Sequence, residues 1–333
     1  MRTRHLLIAS VMTAVAVLEF SFAQSIRFHP EPAGPGKGSA AAPAASAPPP
    51  PVYDVKHLLE PEKKFLGVSL DGDPTATAGV KAWTKRIGKQ PNMLTIFESF
   101  DDDYAASLVR SAYQQGALPV VRWEPYDAKL ADIVAGKHDA YITEFAKEVR
   151  RVNIPIALTF AHEMNGNWYP WGYKKVKPGV YAAAWRHIHK IFESVDARNV
   201  IWTWTPNVIN PVPSVKLKPL YPGDKYVDWI GIDGYYTHRG KHTYSELFGP
   251  TQRAVRRFTD KPFLIVETGG EPGSERPDWI RDLARGVAKD KDMLGFVYFN
   301  QNGSARWKID ADTAAQRAMR NQVDDDTFGF KVR

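Results

Sequence analysis

Eight short apolar runs, each separated from the next by room for a helix, are the feature that most restricts what this chain can fold into. They are FLGVSL from Phe65, NMLTIF from Asn92, LPVVRW from Leu118, IPIALTF from Ile154, NVIWTW from Asn199, VDWIGI from Val227, PFLIVE from Pro262 and MLGFVYF from Met293. Runs of this length, rich in β-branched and aromatic residues, read as strands buried on both faces. Amphipathic segments such as DDYAASLVRSAYQQG and YITEFAKEVRRV lie between them, with Asp at their starts and Gly or Asn near their ends as helix caps. Strand and helix are therefore expected to alternate eight times. That pattern implies parallel strands joined by crossover helices, and eight units in about 250 residues is the size of a closed (β/α)8 barrel. A doubly wound open sheet is the competing fold, but no Gly-rich phosphate turn follows the first run.

The chain of 333 residues begins MRTRHLLIASVMTAVAVLEFSFAQ, a basic start, an apolar run and small residues at cleavage spacing. This reads as a secretory signal over residues 1–23, with retention as an anchor as the alternative. Residues 24–52 are rich in Pro, Ala and Gly and read as an extended linker, which leaves 53–333 as a single (β/α)8 domain. The expected location is secreted or periplasmic, with no membrane span after signal removal. Cysteine is absent, which excludes a disulfide framework and a thiol nucleophile. Losing the signal takes the formal charge from +7 to +6, and its Lys and Arg are scattered rather than striped along one helix. Nucleic-acid binding is therefore not expected, and a monomer is.

In such a barrel the site forms at the carboxyl ends of the strands. The residues there are Asp71 and Asp73, Glu98, then Arg122, Trp123 and Glu124, then His162 and Glu163. Trp204 and Asn207 follow the fifth run, Asp233 and Tyr235 the sixth, Glu267 the seventh and Asn300 the eighth. Glu163 and Glu267 stand out, because strands four and seven face each other across an eight-strand mouth. A pair of carboxylates can protonate a glycosidic oxygen and attack or assist the sugar carbon. Aromatic rings suit the C–H faces of sugars, and Trp123, Trp168, Trp171, Trp204 and Tyr235 are the candidates. Trp168 and Trp171, in a loop with Gly166 and Pro170, are the expected exposed platforms, while at least one of Trp202 and Trp204 should pack in the core.

HEMNGNWYPWG, WTWTPN, GIDGYY and VETGG, in that order on strands four to seven, resemble glycoside hydrolase family 26, retaining (β/α)8 enzymes best known as endo-β-1,4-mannanases. The resemblance implies Glu163 as general acid/base and Glu267 as nucleophile. It also implies that His162 holds substrate near the cleavage point, Trp168 stacks on a sugar on the leaving-group side, and Tyr235 orients Glu267. Mannanases of the family tend to carry Trp at the end of strand eight, where this chain has Phe299 and Asn300, with Trp307 further on. That ending looks more like the family's mixed-linkage β-glucanases. A polysaccharide substrate and no metal or organic cofactor are expected, and a noncatalytic carbohydrate-binding protein is the alternative of another class.

Other motifs read as ordinary structure. HEMNG opens like a zinc-protease helix, but Gly166 stands where the second His is required. Asp71 and Asp73 read as turn formers, and Asp101, Asp102 and Asp103 as caps of the following helix. His187 and His189 read as surface or packing residues, and Glu98 and Glu124 as acids in the barrel mouth.

Overall fold

The computed structural model describes residues 50–303 and 305–333. The signal of residues 1–23 and all but the last three residues of the linker lie outside the described residues. Eight parallel strands close in sequence order, β1 Phe65–Leu70, β2 Met93–Ser99, β3 Leu118–Glu124, β4 Ile156–Phe160, β5 Val200–Trp204, β6 Trp229–Asp233, β7 Phe263–Thr268 and β8 Met293–Asn300. The last strand pairs with the first over six residues, Phe65 opposite Gly295 to Leu70 opposite Asn300. The fold is the expected (β/α)8 barrel. No described helix is long and apolar enough to cross a membrane.

Among the described residues, seven helices of seven or more residues cover the strands: α1 Thr77–Ile87, α2 Ala106–Gln114, α3 Asp139–Val152, α4 Pro178–Ser194, α5 Gly249–Val255, α6 Arg276–Lys289 and α7 Thr313–Val323. The expected eightfold alternation fails once. Between β5 and β6 the chain makes only two 3₁₀ turns, Lys218–Leu220 and Asp224–Tyr226. Pro206, Pro211, Pro213, Pro219 and Pro222 fall in this connection, and each removes a backbone donor that a helix needs.

Two cores result from the alternation of side chains along each strand. Inside the barrel, Phe65, Met93, Leu118, Val120, Ile201, Trp229, Leu264, Val266 and Val297 fill the lower part. Trp229 there donates to the carbonyl of Leu59, so the segment before β1 closes the bottom. Inward-facing Gly67 is required, because a Cβ would come within 2.6 Å of Val297 and 2.9 Å of Met93. Between strands and helices lies the larger core, which includes Trp83, Trp123, Phe145, Trp185, Trp202 and Trp204.

The start of α2 differs from expectation. Neither Asp101, Asp102 nor Asp103 caps it; the N–H of Ala105 donates to Glu98, which reaches over from β2. Glu98 is thus buried in the strand–helix layer rather than placed in the barrel mouth. Asp73 does form the expected turn, accepting from the backbone N–H and hydroxyl of Thr75.

Burial lifts the Glu98 carboxyl from 4.5 to about 8, although the Ala105 N–H opposes the shift. A carboxyl whose folded pKa exceeds its unfolded one takes up a proton on folding, so its penalty is absent below about pH 4.5 and grows until about pH 8. At roughly 1.4 kcal/mol per pH unit, this one group makes stability fall by a few kcal/mol across that window. Glu98→Gln is expected to flatten the decline. Urea unfolding at about pH 5 and pH 8 measures it; parallel slopes for the two proteins would remove Glu98 as the cause.

Candidate active site

The site is assembled around residues of β3, β6 and β7 that point into the barrel above its apolar filling. Arg122, fully buried, donates to both carboxylate oxygens of Asp233, at 3.2 and 2.6 Å. Its second guanidinium nitrogen also lies 3.4 Å from Glu267 Oε2. Burial disfavours the cation, but the charges of Asp233 and Glu267 more than reverse this and hold the guanidinium well above its ordinary range. The Tyr235 hydroxyl donates to Glu267 Oε1. That phenol ring rests on Trp307 at 4.4 Å between centroids and meets Phe299 edge-on.

Glu267 reaches the mouth because β7 carries an extra residue. Against β6, Ile232 pairs with Ile265 but Asp233 pairs with Glu267, a bulge. Val266 therefore joins the interior core and Glu267, its neighbour, also faces inward.

At the end of β4 the chain turns sharply. Ala161 and Glu163 both hold left-handed backbone, φ 48° and 52°. Such residues cost about 1–3 kcal/mol each and persist only where their surroundings fix them. Here the Ala161 N–H donates to the Trp123 carbonyl and the Glu163 N–H to the Thr205 carbonyl, which ties the turn to both neighbouring strands. Each carboxylate oxygen of Glu163 is then engaged, Oε2 by Trp168 Nε1 and Oε1 by Asn207 Nδ2, both at 2.5 Å. Asn207 is itself held by Asn165, which accepts from its N–H and donates to its carbonyl, both at 2.8 Å. Trp168 lies against Gly166, where a Cβ would come within 2.3 Å of the indole. Burial, with the charges of Asp233 and Glu267, pushes the Glu163 carboxyl well above its usual range, against the two donors.

His162 is buried beside these groups, its Nε2 3.0 Å from the Tyr169 hydroxyl and 3.7 Å from Glu124 Oε1. Burial and the charge of Arg122 push its pKa well below the ordinary value, so the ring is neutral. Glu124 is therefore in the mouth region as expected. No group of three or more acids, His or Cys capable of holding a metal occurs among the described residues.

The aromatic expectations divide. Trp168 is partly exposed at the mouth, and Tyr235 lines it. Trp171 is not an exposed platform: it is buried, stacked on Tyr169 at 4.5 Å and 7°, and its Nε1 donates to the His162 carbonyl. Trp123 and Trp204 are not in the mouth either. Arg122 and Glu124 face inward, so Trp123 between them faces the helices and stacks on Phe145 at 4.2 Å. Trp204, equally buried, packs against Tyr221 and Phe258. Asn300 bonds to Asp310 and to the Ile309 N–H and so holds its own loop.

Sequence reasoning passed over Arg122 and Asp233 as a pair, the Asn165–Asn207 bridge, and Phe97. The last is the mouth's exposed ring, 36% accessible and edge-on to Phe299. No signal in NMLTIF marks Phe97 as inward; the β2–β3 register, which sets it opposite Arg122, does so.

Fold and site together define a (β/α)8 barrel whose mouth presents two carboxylates from facing strands, each held by an aromatic donor. Residues 127–268 match the model of Glycosyl hydrolase family 26, the family that the strand-end motifs resemble. Endoglucanase H of Acetivibrio thermocellus is 30% identical over 268 residues, which are 76% of this chain and 29% of the endoglucanase. Mannan endo-1,4-beta-mannosidase of Bacillus subtilis (strain 168) is 24% identical over 211 residues, 60% of this chain and 55% of the mannosidase. The chain thus spans less than two thirds of these curated relatives. Among solved structures, the catalytic domain of a Bacillus sp. JAMB-750 GH26 endo-beta-1,4-mannanase shares the fold with a TM-score of 0.64 at 15% identity, covering 81% of this chain and 88% of that one.

The divided rings make a direct test. Trp123→Ala is expected to lower unfolding stability by about 3–5 kcal/mol, the usual cost of emptying a core aromatic site, and Trp168→Ala by well under half of that. Guanidinium unfolding of both variants reads the difference. A cheap Trp123→Ala would return that ring to the list of platforms.

Proposed function

We propose that this chain is a secreted retaining glycoside hydrolase that cleaves β-linked polysaccharide backbones by double displacement, with Glu163 as acid/base and Glu267 as nucleophile. The observation that carries the reading is the unequal setting of the two acids. Glu163 is deeply buried and pushed toward its protonated form, while Glu267 lies against a guanidinium and accepts a phenol O–H. Divergent surroundings for two nearby carboxyls are what separate an acid from a nucleophile.

In the first step Glu267 attacks the anomeric carbon through an oxygen held by Tyr235 or Arg122, and Glu163 protonates the departing oxygen. The indole N–H of Trp168 and the amide of Asn207 keep the Glu163 carboxyl aimed into the mouth. In the second step Glu163, now a carboxylate stabilised by those same donors, takes a proton from water as it hydrolyses the glycosyl ester. His162, neutral and edge-on to Tyr169, offers a ring N–H or lone pair to a sugar hydroxyl. Phe97, Phe299 and Trp168 supply apolar faces for sugar rings.

The polymer proposed first is a β-1,4-mannan, in keeping with relatives named as mannan endo-1,4-beta-mannosidases. A mixed-linkage β-glucan is the second reading. It is favoured by the end of β8, where Phe299 stands beside Tyr235 and Trp307 is drawn under the Tyr235 ring instead of standing free.

Reducing-sugar release from glucomannan, galactomannan and barley β-glucan tests the assignment. Glu163→Gln and Glu267→Gln are each expected to lose at least about a hundredfold in kcat/KM. An aryl glycoside with a good leaving group, which needs no acid, should restore the first step in Glu163→Gln alone. Wild-type kcat/KM should fall as pH rises through the elevated Glu163 pKa, and this alkaline limb should vanish in Glu163→Gln. A wild-type protein that binds all three polymers and cuts none would sink the enzyme reading.

A further inference from the structure

Two loops beside Glu163 carry an unbalanced positive charge. The loop after β4 holds Lys174, Lys175 and Lys177, and the connection after β5 holds Lys216 and Lys218, all exposed. The acids of these segments are Glu193 and Asp196, at the carboxyl-terminal end of α4, and Asp224 and Asp228, at the close of the β5–β6 connection, where Asp224 accepts from the Tyr221 hydroxyl and Asp228 from the Trp202 N–H. Helix α4 runs antiparallel to the strands, so its carboxyl-terminal end lies away from the mouth. Glu193 faces His189, and Asp196 faces Arg150 and Arg198. Some lysines elsewhere, such as Lys137, Lys147 and Lys308, meet Asp132, Glu144 and Asp71. The five loop lysines have no ion-pair partner among the described residues.

The patch is continuous with the site. Lys175 Nζ lies 3.4 Å from the Trp168 carbonyl, and Trp168 Nε1 donates to Glu163. Between the two loops is a pocket of about 220 Å³ with largely apolar walls, lined in part by Met164, Tyr173, Val176, Val215 and Lys216. Met164 directly follows Glu163. An apolar hollow with a lysine rim fits a sugar ring that carries a carboxylate: the C–H face rests on the walls and the charge meets the rim.

We propose that these two loops bind an anionic glycan, so that the polymer cut at Glu163 bears carboxylate groups on its leaving-group side. The inference rests on the glycosidase reading and narrows it, from neutral mannan or glucan to an acidic polysaccharide. Scattered net charge would attract any polyanion weakly; a built surface makes the attraction depend on these five residues.

Affinity electrophoresis with carboxymethylated barley β-glucan against the unmodified polymer reads binding without turnover. Wild type is expected to bind the carboxymethylated chain about tenfold more tightly at about 20 mM salt, with the preference gone at about 0.5 M, where screening shortens to a few ångströms. The combined change of Lys174, Lys175, Lys177, Lys216 and Lys218 to Gln should abolish the preference. The same change at Lys56, Lys81, Lys147, Lys291 and Lys331 keeps the net charge of that variant and should retain it. Equal binding of the two polymers, or a preference lost equally in both variants, overturns the proposal. Hydrolysis of the two polymers by wild type is measured separately: failure to cut either is a failure of the glycosidase reading, and the binding comparison still decides the anionic surface.

Discussion

The buried cation of Arg122 is the constraint on which the site depends. A guanidinium in a water-excluded barrel is tolerable only with carboxylates around it, and removing a partner from such a pair costs about 3–5 kcal/mol. Asp233 answers with both oxygens and Glu267 with one at longer range. The acids in turn would be costly without the cation. β3, β6 and β7 are thereby held in one arrangement at the mouth, and Tyr235 and Trp307 brace the Glu267 side from above. Arg276, also buried, fastens the loop that bears Trp307 by donating to the carbonyls of Glu271, Arg306 and Lys308.

Glu163 is held by different means, through strained backbone and local aromatic packing. The turn at Ala161 and Glu163 ends β4 abruptly and puts the acid over the barrel, while the segment from Asn165 to Gly172 folds back on it. Gly172 lets that segment close, because a Cβ there would lie 2.3 Å from the Gly166 carbonyl oxygen. The Tyr169–Trp171 stack fixes His162, Trp168 fixes Glu163, and Asn165 fixes Asn207. One acid is governed by the charge of Arg122, and the other by burial and by hydrogen bonds from Trp168 of its own loop and Asn207 of the next. The two environments can therefore diverge although the groups interact.

The family pattern covers strands four to seven, and the chain's individuality lies outside it. At the end of β8, Phe299 meets the Tyr235 ring edge-on and Trp307 lies against it, and together they shape the wall near Glu267. On the other side of Glu163, the lysine-bearing loops give the mouth a charge that the catalytic geometry does not need.

Much of this was legible in the sequence because it is local. Eight apolar runs with helix-sized gaps dictate the barrel, strand-end position puts Glu163 and Glu267 near its mouth, and the family resemblance adds His162, Trp168 and Tyr235 as expectations. The misplaced strand residues share one cause. A strand buried on both faces has no polar alternation, so nothing in LPVVRW or NVIWTW says which side chains point inward, and Trp123 and Trp204 were placed in the mouth although they face the helices. The inward phase is set by pairing with neighbouring strands, which is also what buries Glu98 outside the barrel. The β7 bulge that turns Glu267 inward beside Val266 likewise exists only against β6 and β8. Sequence determined which elements form and where acids and rings stand along them; tertiary structure decided the face each residue presents, because strand register and burial arise only when distant segments pack together.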